Sequence, residues 1–228
     1  MGAIDAVLKL VGMQPLKTGK VEHEKIFALR SVANDAFLMP AKGGYIAIDA
    51  GNSVADILDD CVKIEVDPDK VTDLFLTHGD RDHLGGLEAF PNARVHIARR
   101  ELKDAAEADR FESVGGGRFP VDFDAERLDL LEGGECLEVG GRTIEVISAP
   151  GHTVGHMAYL VDGKYLFTGD AFKLKGGKLV VHPATRDKAQ AQKTIDELVK
   201  RFPEDGLVLT AHFGLLHPEE PEDTGERG

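Results

Sequence analysis

The sequence predicts an α+β chain in which two mixed β-sheets lie face to face with helices on the outside. Three observations lead there. Strand-like runs bounded by turn residues fall into two groups, 26–49 and 127–168, with helical periodicity between and after them. The groups echo each other: 36–51 reads strand, glycine turn, strand, IDAG, and 157–170 reads strand, Asp162-Gly163 turn, strand, TGD, about 120 residues later. No linker composition separates the halves, so both are expected to share one core within a single domain over 1–217.

Taken in order, Ile4, Val7, Leu8 and Val11 recur at i, i+3, i+4 and i+7, predicting a short amphipathic helix over 1–13. Asp5 and Lys9 interrupt any signal-peptide core there, and no apolar run reaches the roughly 18 residues that span a bilayer, so the expected location is cytoplasmic. Runs 26–29 (IFAL), 36–39 (AFLM) and 45–49 (YIAID), the last two joined by AKGG, read as an antiparallel meander. Ser53 with Asp56 resembles a capping box before Val54, Ile57, Leu58 and Cys61, which repeat at helical spacing. Leu74, Phe75 and Leu76 are consecutive, as in a strand buried on both faces, and that strand (73–77) runs directly into THGDRDHLGG. A helical stretch around Leu87, a strand at 94–98, a helix at 99–108 and a glycine-rich loop at 113–120 follow. Strands are expected at 127–131, 135–139, 142–148, 157–161 and 164–168. A helix at about 186–202 places Ile195, Leu198, Val199 and Phe202 on one face, and a last strand, 206–210, leads to His212. The acidic tail, 218–228, lacks apolar anchors and reads as disordered.

Composition narrows the function. Lys plus Arg total 27 against 40 Asp plus Glu, a net charge of -13 over 228 residues, whose field repels nucleic-acid backbones and anionic membranes. A small-molecule substrate is the remaining expectation. Cys61 and Cys136 form neither a disulfide framework nor a CxxC metal spacing. Nothing in the sequence determines an oligomeric state; a dimer is compatible with it.

The histidines are more informative. His78, Asp80, Asp82 and His83 fall within six residues after the buried strand; His152 lies in PGHTVGH, Asp170 ends a hairpin, and His212 follows the last strand. Four strand ends thus offer imidazole or carboxylate donors, the usual partners of divalent transition metals, where one sheet edge would let them converge.

At these residues the chain resembles the metallo-β-lactamase-fold superfamily of metallo-hydrolases: IDAG at 48–51, THGDRDHLGG at 77–86, PGHTVGH at 150–156, TGD at 168–170 and AHFG at 211–214 stand in that family's order. The resemblance implies a four-layer αββα sandwich with the active site along one edge. It also implies two divalent metal ions, zinc by family habit. One would be held by His78, Asp80 and His152 and the other by Asp82, His83 and His212, with Asp170 between them. Position 80 departs from the family's usual His-x-His-x-Asp-His. Either Asp80 ligates, which leans toward the family's diiron members and makes iron or manganese plausible, or it stands behind the ligands and one metal binds.

Other residues carry weaker expectations. Asp49 either orients a metal loop or caps a turn. His156 is expected to hydrogen-bond within its own loop and His96 to be structural, while His182, in a loop twelve residues after Asp170, either faces the substrate or has no part in the site. His23 and His217 carry no signal.

The implied reaction is attack by a metal-bridging hydroxide, with Asp170 bridging and Asp82 passing a proton to the leaving group. No GxSxG nucleophile elbow is present. Secreted antibiotic hydrolysis is not expected without an export signal, nor RNA processing from an acidic chain. Sixteen residues follow His212, which argues against the helical domain of glyoxalase II. Small esters, thioesters, lactones and phosphodiesters remain as substrates. The alternatives are a non-haem iron oxidoreductase acting on sulfur species or oxygen, and a metal-binding module without turnover.

Overall fold

A seven-stranded sheet carries the first half of the chain. In the computed structural model, which describes residues 3–10, 12–102, 116–120, 122–176 and 178–218, its strands lie in sequence order: β1 (Gly19–Lys20), β2 (Phe27–Ser31), β3 (Asn34–Ala41), β4 (Gly44–Ile48), β5 (Val71–Phe75), β6 (Arg94–Ala98) and β7 (Leu128–Leu131). The first four pair antiparallel and the last four parallel. A two-residue turn, Lys42-Gly43, closes β3 on β4, with Ala41 opposite Gly44. A six-stranded sheet carries the second half: β8 (Cys136–Val139), β9 (Arg142–Ser148), β10 (Met157–Val161), β11 (Tyr165–Gly169), β14 (Leu207–Thr210) and β15 (Leu215–Leu216). It is antiparallel except where β11 runs parallel to β14. Between β11 and β14 a separate two-stranded ribbon forms from β12 (Lys173–Lys175) and β13 (Lys178–Val180).

The two sheets face each other across one apolar core. Phe37, Ile48 and Phe75 from the first sheet meet Val146, Tyr159, Phe167 and Leu209 from the second, with the Phe37 and Phe167 rings 5.1 Å apart and Phe75 and Tyr159 5.3 Å apart. Each such ring or branched side chain contributes about 1.5–3 kcal/mol of transfer free energy on burial. The Tyr159 hydroxyl donates to the Leu76 carbonyl at 2.7 Å, so its polar end is satisfied inside the core.

Two further clusters explain why strands of both sheets are apolar on both faces. Leu38, Ala47, Leu74 and Val95 pack outward against Ile57 and Cys61 of helix α2 (Val54–Lys63). On the other side Ala158, Leu166 and Val208 pack against Ile195 and Leu198 of α4 (Lys188–Val199). The layers are therefore helix, sheet, sheet, helix, as expected. Ser53 caps α2 by accepting from the Asp56 N–H, and Asp187 caps α4 by accepting from the Gln190 N–H. No helix among the described residues is long and apolar enough to cross a membrane.

Some expectations change. The helix α1 (Ala3–Leu10) forms, but Val7 on its expected apolar stripe is exposed and Leu8 is buried. Leu58 and Val199, at the margins of their helical stripes, face solvent because α2 and α4 bury only a narrow face. The helix expected at 99–108 begins as a single 3-10 turn, Arg99–Glu101, and the stretch around Leu87 is another, Leu87–Ala89. Residues 103–108 of the former, the first three residues of the 113–120 loop and nearly all of the tail lie outside the described residues. Strands β1, β12, β13 and β15 were not expected, since two or three residues carry no period to read.

Candidate metal centre

All seven residues singled out by the sequence converge on one edge of the two sheets. After β5 the chain runs through Leu76 and Thr77 to His78 and then turns into α3 (Arg81–Leu84). Asp80 occupies the N-cap of α3 but makes no capping bond. Its carboxylate instead reaches across to His152, with Oδ2 3.2 Å from Nε2, and lies 3.5 Å from His78 Nε2. Asp82 and His83 follow on α3, His152 sits in the loop between β9 and β10, Asp170 follows β11, and His212 follows β14. At the end of β11, Gly169 has φ of +49°, and a Cβ there would fall 2.6 Å from Thr77 Oγ1. Glycine thus lets Asp170 approach the end of β5.

Asp170 stands at the middle of the group. Its Oδ1 lies 3.2 Å from His212 Nε2 and 3.8 Å from His83 Nε2, while Oδ2 lies 3.5 Å from His152 Nε2 and 4.0 Å from His182 Nε2. One carboxylate is therefore divided between two sets of donors. Asp82 Oδ2 completes the second set, 3.5 Å from His212 Nε2 and 3.9 Å from His83 Nε2. Donor atoms of His78, Asp80 and His152 all fall within 4.8 Å of one another, as do those of Asp82, His83 and His212, and of His152, Asp170 and His182.

Hydrogen bonds behind these residues decide which nitrogen His78, His83 and His212 present. Asp49, held at φ of +58°, accepts from the Thr77 N–H and from its hydroxyl, and its Oδ2 lies 2.8 Å from His83 Nδ1. His83 therefore donates through Nδ1 and turns Nε2 inward. The Thr77 hydroxyl has one proton and gives it to Asp49, so at 3.0 Å it accepts from His78 Nδ1, which again leaves Nε2 free. His212 donates from Nδ1 to the Ala33 carbonyl at 2.7 Å. These partners orient imidazole ligands in the manner of known metal sites. His156 behaves otherwise: its Nε2 accepts from the Asp170 N–H at 3.1 Å, so that lone pair is spent on placing Asp170.

The charges in the cluster respond to their surroundings. Burial alone would discharge His83, but the Asp49 and Asp170 carboxylates outweigh it and push the imidazole up to about 10. Burial likewise opposes the charge on His212, and Asp170 outweighs it, raising the group to about 9. Asp170 is held well below the carboxylate range, its burial overcome by His212 and His83. Asp80 is lowered too, its desolvation overcome by His152 and His78. His182 is pushed down to about 4, chiefly by burial.

Buried polar atoms without a hydrogen-bond partner test whether this donor set fits a cation. Among the described residues, the Nε2 atoms of His78 and His83, Asp80 Oδ1 and both ring nitrogens of His182 are such atoms. Each orphaned buried polar atom costs about 1–3 kcal/mol, and all four of these residues belong to the convergent groups as donors toward one space. A nitrogen- and oxygen-rich set of this kind fits divalent transition metals.

Family comparison agrees with the geometry: the family model of the metallo-beta-lactamase superfamily matches residues 32–212. The chain belongs to that superfamily. A hydroxyacylglutathione hydrolase of Dictyostelium discoideum is 26% identical over 184 residues, covering 74% of this chain and 60% of its own length. Several such hydrolases match over a shorter share, so the chain spans about half the length of these curated relatives. Among solved structures, an archaeal superfamily protein from Sulfolobus tokodaii superposes with a TM-score of 0.63 at 21% identity, covering 86% of this chain and 83% of its own. A B3 metallo-beta-lactamase described as having an active site glutamic acid superposes with a TM-score of 0.62 at 20% identity, covering 91% and 83%. The αββα sandwich is thus the superfamily's fold.

Outside the seven, Asp49 orients His83 and Thr77 rather than only capping a turn. His96 is structural, stacked on Phe75 at 4.1 Å between rings and paired with Asp73 at 2.9 Å. His182, whose role the sequence left open, is buried beside Asp170 with its ring 5.0 Å from that of His152. Its position after the β12–β13 ribbon, twelve residues beyond Asp170, has no spacing that would have placed it there.

Proposed function

We propose that the protein is a hydrolase that works with two divalent metal ions on a small ester, thioester, lactone or phosphodiester. The observation that carries this is the divided Asp170 carboxylate, one oxygen facing His83 and His212 and the other His152 and His182. In this reading His78, Asp80 and His152 would hold one ion, Asp82, His83 and His212 the other, and Asp170 would serve both. Ions bound there would supply Lewis acidity toward a carbonyl or phosphoryl oxygen and acidify a water to near-neutral pKa.

The chain's own residues supply the rest. Asp49 and the Ala33 carbonyl keep His83 and His212 presenting Nε2, and the His156 ring holds the Asp170 backbone. The Asp82 side chain is 42% exposed, which lets it hand a proton to a departing group at the open side of the site. Thioesters come first among the substrates, because the curated relatives are hydroxyacylglutathione hydrolases by name. We read the location as cytoplasmic and the partner as a small molecule alone.

Metal content and turnover test the proposal together. Purified protein should carry about two equivalents of metal by elemental analysis and hydrolyse a member of an ester, thioester, lactone and phosphodiester panel in a chelator-sensitive way. Fully loaded protein inert across that panel would overturn the hydrolase reading. Asp80 favours a second reading, since three carboxylates among seven donors tilt the site from zinc toward iron or manganese. Iron-loaded protein that consumes oxygen or oxidises a sulfur substrate would establish it; zinc occupancy with no oxygen uptake would remove it.

A further inference from the structure

Glu101 ends the 3-10 turn after β6 in a charged run, ARRELKD, yet it is 0% exposed. A buried carboxylate must be matched by donors, and here all three come from the two loops that carry the metal-site residues. Oε2 accepts from the Gly79 N–H at 2.9 Å; Oε1 accepts from the Gly155 N–H at 2.8 Å and from the Thr153 hydroxyl. Gly79 lies between His78 and Asp80, and Thr153 directly follows His152. The contact is tight, since a Cβ on Gly155 would fall 2.7 Å from the Glu101 nitrogen. The opposite donor set has other supports: His83 leans on Asp49 and His212 on the Ala33 carbonyl.

We propose that Glu101 is a positioning residue that sets the separation of His78 and Asp80 from His152, and so controls metal occupancy in that half of the centre alone. The proposal rests on the two-metal reading above. Its chemistry is specific to a carboxylate. An amide of the same size has one acceptor oxygen, and its NH2 would face an N–H or O–H donor.

Metal titration with a chromophoric competing chelator, run with zinc alone on wild type and Glu101→Gln, is the test. Wild type should bind two equivalents. Glu101→Gln should keep one at unchanged affinity and bind the other at least tenfold more weakly. Thr153→Val, which removes one donor and keeps the shape, should shift the same equivalent a few-fold and covers the case in which Glu101→Gln does not fold. Amide exchange at Gly79 and Gly155 in chelator-treated protein gives a metal-independent readout, expected to quicken at least tenfold in Glu101→Gln. Two equivalents with unaltered affinities in the variants, or unaltered exchange at those amides, would overturn the role of Glu101. Fewer than two equivalents in wild type would instead overturn the two-metal reading, and amide exchange would then decide the clamp by itself.

Discussion

At the scale of single residues, the site is a competition between protons and cations for the same nitrogens. Without metal, His83 and His212 titrate at about 10 and about 9, so both are charged at neutral pH and paired with Asp170. Folded values above the ordinary histidine value of about 6.5 mean that this pairing stabilises metal-free protein fully below that pH. The stabilisation is lost as pH rises through 9 to 10. A metal must displace those protons, so its apparent affinity should climb with pH from 7 toward 9, with about two protons released per loaded centre; calorimetry in buffers of different ionisation enthalpy measures the number, and zero release would contradict the assigned charges. Asp170→Ala should lose at least one ion and nearly all turnover, and complete metal retention would show that Asp170 does not serve both sets. Asp80→His should raise zinc affinity relative to iron, and an unchanged ratio would put Asp80 outside the donors. His78, Asp82, His83, His152, Asp170 and His212 were legible because short motifs at strand ends keep their chemistry and order on the chain. His182 was marked only weakly and Glu101 not at all, because their partners lie 12 to 54 residues away and no local pattern marks a contact across loops.

At the scale of elements, the loops matter because helices and strands hold them at both ends. The loop before β10 lies on the start of α4: Gly151 has φ of +138°, and a Cβ there would sit 2.5 Å from Ala191 Cα and 2.6 Å from its nitrogen. Arg186 and Asp187 N–H groups donate to the carbonyls of His152 and Gly151 at 3.3 and 3.0 Å. Gly151→Ala should therefore cost about 1–3 kcal/mol from the backbone alone and weaken metal binding through His152. A thermal melt of the chelated protein would show the first effect and metal titration the second; an unchanged melt would mean that the loop is free of α4. Period-2 and period-3.6 patterns found most strands and both long helices. They failed where an element is too short to have a period, as in β12 and β13, or where Arg99–Glu101 is one turn whose glutamate is buried by loops rather than by a helix stripe.

At the scale of the whole molecule, the edge that gathers the donors exists because two mixed sheets are locked face to face. Phe167 is fully within that interface, with its ring against Phe37, so Phe167→Ala should cost about 3–5 kcal/mol and lower metal uptake without touching a donor; denaturant unfolding measures the loss, and a cost below 1 kcal/mol would mean that the sheets are not held together there. The family match over 32–212 and the superposition on superfamily structures rest on this same architecture. By itself the sequence determined the two sheets, the outer helices and the identity of seven candidate donor side chains. Alternation, helical spacing and short motifs are local properties that the chain carries wherever it goes. Only the tertiary structure decided which nitrogen His78, His83 and His212 present, how Asp170 divides its two oxygens, and that His182 and Glu101 pack beside these groups. Those are distances of a few ångströms between segments far apart in the chain, set by how the sheets pack and not by any one segment's residues.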